Sequence, residues 1–466
     1  MAEAAAAYGA VPDIRVRVLP TDAQGGKADG PVVYWCRTAR RMTGNPALQH
    51  AAQRARAAGV GLWVLETCRT DRPYAAPRFD AWVEQGMADN AAALAKDGIP
   101  HRAVFAPAKA LAELLATATK GASLLVTDDH PLRRPGLPSS VTCRAVAVEG
   151  NGLLPLAATP RTWPAAVHLR RFIMRNLADH LWWPAARPCE GADGAEPTVD
   201  GAQRPPGNGD QAVGEVDLEG GARAGKACLD DFVARLDGYL DASHPDAHAA
   251  SGLSPYLHYG HVGAHEVAGR ILAAEDWNPG RITNTNGSKG WWGLGEAAEA
   301  FMDQLVTWRE LGFVDCHHRP DNTAYAAQPE WARATLAAHA DDPRTTYDAA
   351  TLEAAETDDE VWNAAQRQLT RTGMLHNHLR MLWGKRILEW SPGPEEAWRL
   401  AFHLNDRWAL DGRDPNSVSG IAWVFGRFDR GWQERDVYGK VRTMSSERTR
   451  KKLRMEGYLA TYGPDA

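Results

Sequence analysis

The chain has 466 residues and carries 52 Lys and Arg against 58 Asp and Glu, a formal net charge of −6. This length exceeds what one hydrophobic core usually serves, so we expect two domains. The acidic balance excludes a protein that coats nucleic acid over its whole surface, although it allows a local basic patch. The 18 tryptophans outnumber both the 11 tyrosines and the 9 phenylalanines, a surplus that suits stacking surfaces or an electron relay as well as ordinary packing.

The six cysteines are scattered, with no CxxC pair and no histidines at ligand spacing. This pattern indicates neither a disulfide framework nor a zinc site. The N-terminal sequence MAEAAAAYGAVPD has no basic head before its alanine run, and no apolar stretch approaches the length of a membrane span. We therefore expect an intracellular protein with no membrane partner, cytoplasmic in a cell without a nucleus.

From about Pro31 the sequence alternates between short β-rich runs and alanine-rich helical runs. The predicted strands are Val32–Cys36, Val60–Glu66, His101–Phe105, Ser123–Thr127 and Arg144–Val148, and the predicted helices are Pro46–Ala58, Arg78–Lys96 and Ala108–Lys120. This alternation predicts an α/β domain over residues 31–160, built on a doubly wound parallel sheet of Rossmann-like type, after a flexible N-terminus at residues 1–30. No GxGxxG follows the first strand, so a dinucleotide-dependent dehydrogenase has no support.

The middle of the chain changes composition. A predicted helix, Trp163–Leu181, leads into Pro188–Gly225, which is rich in Gly, Pro, Ala and acidic residues and poor in large apolar ones. This predicts an interdomain segment over residues 161–227 that ends in a mobile linker or insertion. Helical periodicity then dominates residues 228–466 and predicts an all-α C-terminal domain. Its predicted helices are Asp230–Ala242, Val262–Ala274, Glu296–Leu311, Pro329–His339, Glu360–Gln368, Met374–Glu389 and Pro394–Leu404.

The stretch from Trp362 to Trp423 is the richest in chemically useful residues. Arg380 and Trp383 share a helix face, and Trp390 follows two turns later, roughly 10 Å along that face. Aromatic residues at helical spacing are usually core. The polar turn DGRDPN favours more than packing, because its Asp411 can reach Arg380 as a buried ion pair.

Two further motifs stand outside that stretch. Ser251–Ser254 precede Pro255, which suits the first turn of a helix, so N–H groups and hydroxyls there would face an anion, although a serine before proline is also a common helix cap. Residues Arg427–Glu456 contain ten basic residues against five acidic ones. This excess predicts a strip that faces phosphates, with a solvated charged tail as the alternative for Arg448–Arg454.

Six segments in order resemble the photolyase and cryptochrome family, and within it the class II cyclobutane pyrimidine dimer photolyases. They are SGLSPYLHYG (Ser251–Gly260), AFMDQLVTWREL (Ala300–Leu311), VWNAAQ (Val361–Gln366), TGMLHNHLRMLWGKRILEW (Thr372–Trp390), LNDRWALDGRDPNSVSGIAW (Leu404–Trp423) and GWQERDVYGKVRTMS (Gly431–Ser445). The likeness is weak before about Pro160 and close after Tyr239. It implies an all-α FAD-binding C-terminal domain and an α/β domain that holds an antenna pigment, such as a deazaflavin or a folate.

The resemblance also implies a flavin site. Arg380 and Asp411 would form an ion pair beside the isoalloxazine, and Asn405 would lie near flavin N5, an arrangement that favours the reduced anionic flavin. Without this resemblance, the sequence would indicate only that Asn405 is a turn or helix-end residue. The residues that would hold the pyrophosphate of a U-shaped FAD are Tyr239, Ser251, Gly252, Leu253 and Ser254.

The same resemblance assigns roles to several tryptophans. Trp383, Trp362 and Trp390, in that order from the flavin to the surface, would form a chain that carries electrons to the flavin, with core packing as the alternative. Trp308 and Trp423 would flank a flipped-out pyrimidine dimer, because flat indoles can cover a base removed from its stack.

Other residues would complete the substrate site, with some departures from the class pattern. Met381 would face the cavity that holds the dimer. Gln304 stands where the class II pattern has a glutamate. Asn377 also differs from the class II pattern. For Arg430, Trp432 and Arg442 the resemblance implies duplex contact and filling of the hole left by the lesion. The stretch WVFGRFDRGW is one residue shorter than the class pattern, so these contacts are expected to differ in detail.

The expected function is light-driven repair of cyclobutane pyrimidine dimers in double-stranded DNA by a monomeric FAD enzyme. One alternative is a cryptochrome-like photoreceptor. The resemblance to photolyases extends nearly to Ala466 and leaves no long signalling tail, which weighs against this alternative. A second is repair of the (6-4) photoproduct, because relatives that repair this lesion have a glutamine at the position of Gln304. A third is a helical binding module without flavin.

Overall fold

The computed structural model describes residues 9–21 and 26–464. These residues divide into two compact units. The first unit contains the described residues up to Pro160, Leu177–Asp230 and Leu253–Ile271, and the second contains Arg161–Asn176, Asp231–Gly252 and the residues from Leu272 onward. Within the described ranges, no helix combines the length and apolar character that a membrane crossing requires.

The first unit is built on a six-stranded sheet of order β1-β6-β5-β2-β3-β4. The strands are β1 Val16–Leu19, β2 Val32–Cys36, β3 Leu62–Arg69, β4 His101–Ala106, β5 Leu124–Asp129 and β6 Arg144–Glu149. β2 to β6 pair in parallel, and β1 pairs with β6 in the antiparallel sense. Because the strand order runs outward from β2 in both directions, the sheet is doubly wound, which confirms the predicted α/β class.

Helices cover both faces of this sheet. They are α1 Pro46–Ala58, α2 Pro77–Lys96 and α3 Ala108–Ala118. Alternate residues of β2 enter different cores: Val32 packs in the cluster that contains Leu48 of α1, and Val33 packs in the cluster that contains Leu111 of α3. This period of two is what a strand buried on both faces requires.

β1 corrects the predicted flexible N-terminus at residues 1–30. Its register runs from Val16 opposite Val148 to Leu19 opposite Ala145. Next to it, buried Arg15 lies 2.9 Å from Glu149 and donates to the carbonyl of Leu153. Such an edge strand depends on a distant partner, so its four residues carry too little local pattern to be predicted. Residues 1–8 and 22–25 of that prediction lie outside the described residues.

The predicted linker after Pro188 is also corrected, because the segment packs along the sheet and belongs to the first unit. The Leu62 N–H donates to the Asp193 carbonyl over 2.8 Å, and the Phe105 N–H donates to the Ala202 carbonyl over 2.9 Å. A Cβ on Gly61 would lie 2.7 Å from Ala195 Cβ, so the contact needs a glycine. Backbone hydrogen bonds hold this segment in place. The prediction of a linker considered only the lack of large apolar side chains, and this composition gives no sign of such bonds.

The remaining helices are α4 Ala166–His180, α5 Ala222–Ala234, α6 Ser254–Tyr259, α7 Ala264–Ala274, α8 Glu296–Met302, α9 Arg309–His318, α10 Glu330–Ala338, α11 Ala349–Ala354, α12 Glu360–Thr372, α13 Asn377–Trp390, α14 Pro394–Trp408, α15 Pro415–Val424, α16 Ser446–Lys452 and α17 Glu456–Thr461. A π-helical segment, Asp303–Trp308, joins α8 to α9. The described residues of the second unit contribute no strand to the sheet, which confirms the predicted helical C-terminal region.

Several predicted helices have other bounds in the structure, and two of them show the reason. The prediction Asp230–Ala242 is wrong, since α5 already begins at Ala222 and ends at Ala234, where a 3₁₀ turn follows. The prediction Met374–Glu389 begins too early, because α12 ends at Thr372, Gly373 caps it with φ +70°, and α13 starts only at Asn377. A left-handed glycine ends a helix, and the chain needs three more residues before the next one starts.

Candidate active site

Arg380, on α13, links the end of α14 to the turn that follows it. Its Nη2 lies 2.7 Å from Asp411 Oδ1, and its Nη1 donates to Asn405 Oδ1 over 3.3 Å. The ion pair predicted between Arg380 and Asp411 is therefore present. Both side chains are largely but not fully buried, so one side of the pair faces accessible space.

Asn405 lies in the last turn of α14, and its amide is held in one orientation. Its Nδ2 donates to Asp406 Oδ1 over 2.9 Å and to Ser417 Oγ over 2.7 Å. Because a carboxylate only accepts hydrogen bonds, the nitrogen of the amide must face Asp406. Both amide hydrogens are then used, so any further partner of this side chain must donate to Oδ1.

These residues fit the ring end of a reduced flavin. A reduced flavin carries an N–H at N5, and the second lone pair of Asn405 Oδ1 could accept a hydrogen bond from such a group. The Arg380 guanidinium has five N–H donors and can stabilise negative charge on the pyrimidine edge of the ring. Asn405 is 3% exposed, so the amide is fixed before any ligand arrives. The site roles of these residues remain predictions.

Tyr239 lies in the 3₁₀ turn Leu236–Asp241 and packs edge-on against two phenylalanines. Its ring centroid is 5.7 Å from that of Phe232 and 5.2 Å from that of Phe301. Burial, and then the charge of Asp303, raise the pKa of Tyr239 to about 12. The hydroxyl therefore keeps its proton at neutral pH and can donate to an anion such as a phosphate.

The predicted phosphate loop adopts a tight turn. Gly252 has φ +72°, Leu253 is buried, and Ser254 with Pro255 opens the short helix α6. The division between the two units falls inside this loop, with Ser251 and Gly252 in the second unit and the rest in the first. The turn and the helix start agree with the sequence reading, and phosphate binding remains a prediction.

The three tryptophans of the predicted relay are connected through hydrogen bonds and ring contact. Trp383 Nε1 donates to Gln366 Oε1 over 2.9 Å, and Trp362 Nε1 donates to the Trp383 carbonyl over 3.1 Å. The Trp362 and Trp390 ring centroids are 5.6 Å apart at 74°. α12 presents Trp362 in its first turn, where the side chain of Asp359 accepts the Trp362 N–H and fixes the helix start.

Sequence analysis missed the residues at the outer end of this row. The Tyr347 ring lies 5.2 Å from that of Trp390, and its hydroxyl donates to Asp358 Oδ2 over 2.9 Å. A pocket of about 420 Å³ opens there, lined by Tyr347 and Trp390 and also by Arg386 and Asp359. No motif marks these residues, since they meet Trp390 only through the tertiary fold.

Gln304 and Trp308 lie four residues apart in the π-helical segment. They are half-buried, whereas the three residues between them are buried, so the two share the more open face. The segment is anchored by Arg170, which contacts both carboxylate oxygens of Asp303 at 2.6 and 3.0 Å. π-helical turns recur at functional sites, and this one sets the direction of both predicted lesion contacts. Met381 lies beside Arg380 on α13 and is half-buried.

The loop after α15 gathers cations and indoles around one carboxylate. Asp429 Oδ2 lies 2.9 Å from Arg442 Nε, and its Oδ1 accepts the Arg430 N–H. The Arg442 guanidinium lies 4.1 Å from the Trp432 ring centroid and 5.5 Å from that of Trp423. Trp432 is 40% exposed, so this group, here called the cation–indole cluster, faces solvent.

One member of the predicted basic strip is excluded from phosphate contact. Arg427 is buried and lies 2.8 Å from Asp315 in an ion pair between the post-α15 loop and α9. Others are neutralised at the surface, as Arg450 is by Glu360 and Lys451 by Glu447. The excess of positive charge is therefore smaller than the count of basic residues suggests.

At the switch point of the sheet, between β2 and β5, Asp128 is fully engaged by its own chain. It accepts from the Tyr34 hydroxyl over 2.7 Å and from the N–H groups of Arg37, Thr38 and Ala39 over 2.7 to 3.1 Å. Ligands of doubly wound sheets bind at this edge. No polar group of Asp128 is left to recognise an antenna pigment, and antenna binding remains a prediction.

Comparison with known proteins places these features in a family. The model of the DNA photolyase family matches residues 32–136. A deoxyribodipyrimidine photo-lyase of Oryza sativa subsp. japonica is 32% identical, covering 96% of this chain and 90% of the relative. Those of Arabidopsis thaliana and Potorous tridactylus are each 30% identical, covering 92% and 94% of this chain and 88% and 82% of the relatives.

Solved structures share the fold at lower identity. A bacterial class III photolyase from Agrobacterium tumefaciens superposes with a TM-score of 0.67 at 18% identity, covering 96% of this chain and 87% of its own. A cryptochrome from Synechocystis superposes with a TM-score of 0.70 at 14% identity, covering 93% and 89%. Given the sequence identity along almost the whole length of its relatives, this chain belongs to the DNA photolyase family.

Proposed function

We propose that this chain repairs UV-induced cyclobutane pyrimidine dimers in double-stranded DNA in a light-driven lyase reaction. The observation that carries the proposal is the pairing of Arg380 with a pinned Asn405, on the same helix that bears two of the three connected tryptophans. A plain helical core needs neither a partly exposed guanidinium nor an amide held by two acceptors. A flavin that exchanges single electrons needs both.

Bound FAD supplies the electron that the dimer takes up and returns, so the lyase reaction has no net redox change. The residues that would hold it are Arg380, Asn405 and Asp411 at the ring, and Tyr239 with the loop Ser251–Ser254 at the phosphates. Arg380 would stabilise negative charge on the flavin ring. Asn405 Oδ1 would accept a hydrogen bond from an N–H group of the ring. Asp411 holds Arg380 in place and limits the net positive charge of the site.

The other residues bind and orient the lesion. Trp308 and Trp423 offer flat surfaces that can cover the flipped-out bases, and Gln304 can pair with their polar edges through both its amide N–H and its carbonyl. Arg430 and Arg442 contact phosphates of the duplex, and exposed Trp432 occupies the space that the lesion leaves.

The three tryptophans restore the reduced flavin when it has been oxidised. Indole is the most readily oxidised of the packed side chains here, and Trp383, Trp362 and Trp390 provide consecutive steps towards the surface. This order from the flavin to the surface is the one that the resemblance to class II implies, and it supports assignment to that class. The enzyme would act as a monomer on duplex DNA.

Illumination of the purified, reduced protein with oligonucleotides that each carry one defined lesion tests the proposal. We expect cyclobutane dimers to be lost and (6-4) photoproducts to remain. Repair of only the (6-4) lesion would overturn the substrate assignment, a second candidate that Gln304 favours because an amide replaces the acidic residue of the class pattern. A protein with bound flavin that repairs neither lesion would be a photoreceptor.

A further inference from the structure

Lys385, on α13, is a charged residue that the proposed repair reaction does not use. It is fully buried, at 0% exposure, and burial lowers the pKa of its amine to about 7. An ammonium group without solvent is costly unless it has specific partners. Its position must therefore be explained by what it contacts.

Its first partner is the end of α15. The Lys385 Nζ donates to the carbonyl of Val424, the last residue of that helix. The carbonyls of Ala422 and Trp423 accept from backbone N–H groups of residues 425–427, so the lysine satisfies a carbonyl that the chain's own turn does not. A cation at a helix C-terminus also opposes the negative end of the helix dipole.

Its second partner is the indole of Trp423. The Nζ lies 4.9 Å from the ring centroid, within the range of a cation–π interaction. The approach of the two helices depends on the neighbouring Gly384, where a Cβ would lie 2.6 Å from Val424 Cγ2. The glycine brings α13 against α15 at the one point where the lysine reaches both the helix end and the indole.

The surrounding charges belong to the cation–indole cluster. The charged groups that act on Lys385 are Asp429, which favours its protonation, and Arg442, which opposes it. The Tyr438 hydroxyl lies 2.9 Å from the Lys385 carbonyl and 3.0 Å from Glu389, which ties the same loop to α13. The lysine thus connects the loop that would contact DNA to the indole that would cover the lesion.

We infer that Lys385 is a positioning residue for lesion recognition, whose ammonium fixes the Trp423 indole for stacking on a flipped-out pyrimidine dimer. This inference rests on the proposed function, since it assigns Trp423 to the lesion. The lysine itself touches neither the substrate nor the flavin. Its effect should appear in the preference for damaged over undamaged DNA.

The test compares Lys385→Met and Lys385→Gln with Lys440→Met, which removes an exposed cation from the same loop. Affinities for duplexes with and without one cyclobutane dimer are measured at pH 6 and pH 9. Both Lys385 variants should lose about fivefold of the preference at pH 6 while binding undamaged DNA normally. Lys440→Met should weaken binding to both duplexes equally if exposed Lys440 contacts a phosphate, because such a contact is the same in damaged and undamaged DNA.

The pH comparison separates charge from packing. Because burial lowers the pKa of Lys385 to about 7, the wild-type lysine is expected to be mostly neutral at pH 9, and its advantage over Lys385→Met should disappear there. Titration elsewhere affects both proteins alike and cancels in the comparison. Thermal unfolding shows which variant is folded and suitable for comparison. If neither Lys385 variant is folded, His339→Gln takes their place, because it keeps Lys385 and removes the histidine that contacts Glu434 of the loop. Its preference for the damaged duplex must then still fall between pH 6 and pH 9, as that of the wild type does.

Unchanged preference in a folded Lys385 variant, or an equal loss of affinity for both duplexes, would overturn the inference. So would a difference from wild type that persists at pH 9. Failure of the proposed function looks different, because reduced wild-type protein would then remove no dimer under light. A wild type that repairs while Lys385→Met discriminates normally would defeat the lysine inference alone.

Discussion

The helical unit contains two groups of tryptophans that differ in what surrounds the indole. Trp383 and Trp362 are buried, and their N–H groups donate to a neutral amide and a carbonyl. Trp423 and Trp432 lie among the cations Lys385, Arg442 and Arg430. The residue type is the same, so the environment must determine the use.

The difference has a physical reason. An indole that passes on an electron becomes transiently positive, which an acceptor at its N–H stabilises and a nearby cation opposes. An indole that covers a base beside the phosphate backbone gains from cations, which also neutralise phosphates. At the outer end of the relay, Arg386 lies 5.2 Å from the Trp390 ring, but Asp359 and Glu389 both pair with it and offset its charge.

The largest effect is expected for Trp383→Phe. Phenylalanine fills most of the space but is much harder to oxidise, so photoreduction of oxidised flavin should be abolished within measurement. Repair by enzyme that has been chemically reduced beforehand should stay near the wild-type rate. Flavin absorbance under illumination and dimer repair are the two measurements.

Trp398→Phe is the matched control for that variant. Trp398 is equally buried, and its N–H donates to the Thr323 carbonyl, but its ring contacts Phe402 and Phe425 rather than the relay. It should leave photoreduction intact. If repair by pre-reduced Trp383→Phe collapses as well, Trp383 is a packing residue.

Trp423→Ala should have the opposite effect to Trp383→Phe, because it should impair binding to the lesion and leave photoreduction unchanged. Loss of a stacking surface typically costs about 1–3 kcal/mol, which corresponds to an affinity for the damaged duplex about 5- to 150-fold weaker. Photoreduction should remain normal, because no relay residue is changed. Binding to a dimer-containing duplex is the measurement, and an equal loss for undamaged DNA would contradict the assignment to the lesion.

Arg430→Met should have a smaller and less selective effect. Arg430 is exposed and lies 5.3 Å from the Trp432 ring. If it contacts a phosphate, its loss should weaken damaged and undamaged duplexes alike by a few-fold and reduce the salt slope of binding by about 1. Titration of binding against salt concentration measures this. A slope equal to that of the wild type would place Arg430 outside the DNA contact.

The smallest effect is expected at His339, which contacts Glu434 in the loop that carries the cation–indole cluster. Its Nδ1 lies 2.6 Å from Asp342 and its Nε2 3.1 Å from Glu434, and these hydrogen bonds, with that of Glu434 first, raise the pKa of His339. A raised pKa in the folded state gives stability that is present below the unfolded value of 6.5 and is lost as pH rises through the folded value. Urea unfolding from pH 5.5 to 8.5 should show a decline that His339→Gln lacks.

Sequence periodicity determined the elements whose pattern is local. The first predicted strand, Val32–Cys36 (β2), and the helix Pro46–Ala58 (α1) have the predicted bounds. The helix has them because Asn45 caps its start and Gly59 ends it. The ion pair of Arg380 with Asp411 was also predicted, since a polar turn after a helix leaves few partners within reach. In contrast, β1 and the packed segment after Pro188 depend on partners far away in the chain.

The residues of the candidate site also differ in whether local sequence or distant contacts determine their positions. The sequence by itself determined which residue types recur at helical spacing, and the resemblance suggested which of them act together. Only the tertiary structure decided that Asn405 presents its oxygen, that Tyr347 extends the row at Trp390, and that Lys385 lies beneath Trp423. These choices depend on hydrogen bonds and close approaches between helices that are distant in sequence, and local periodicity contains no information about them.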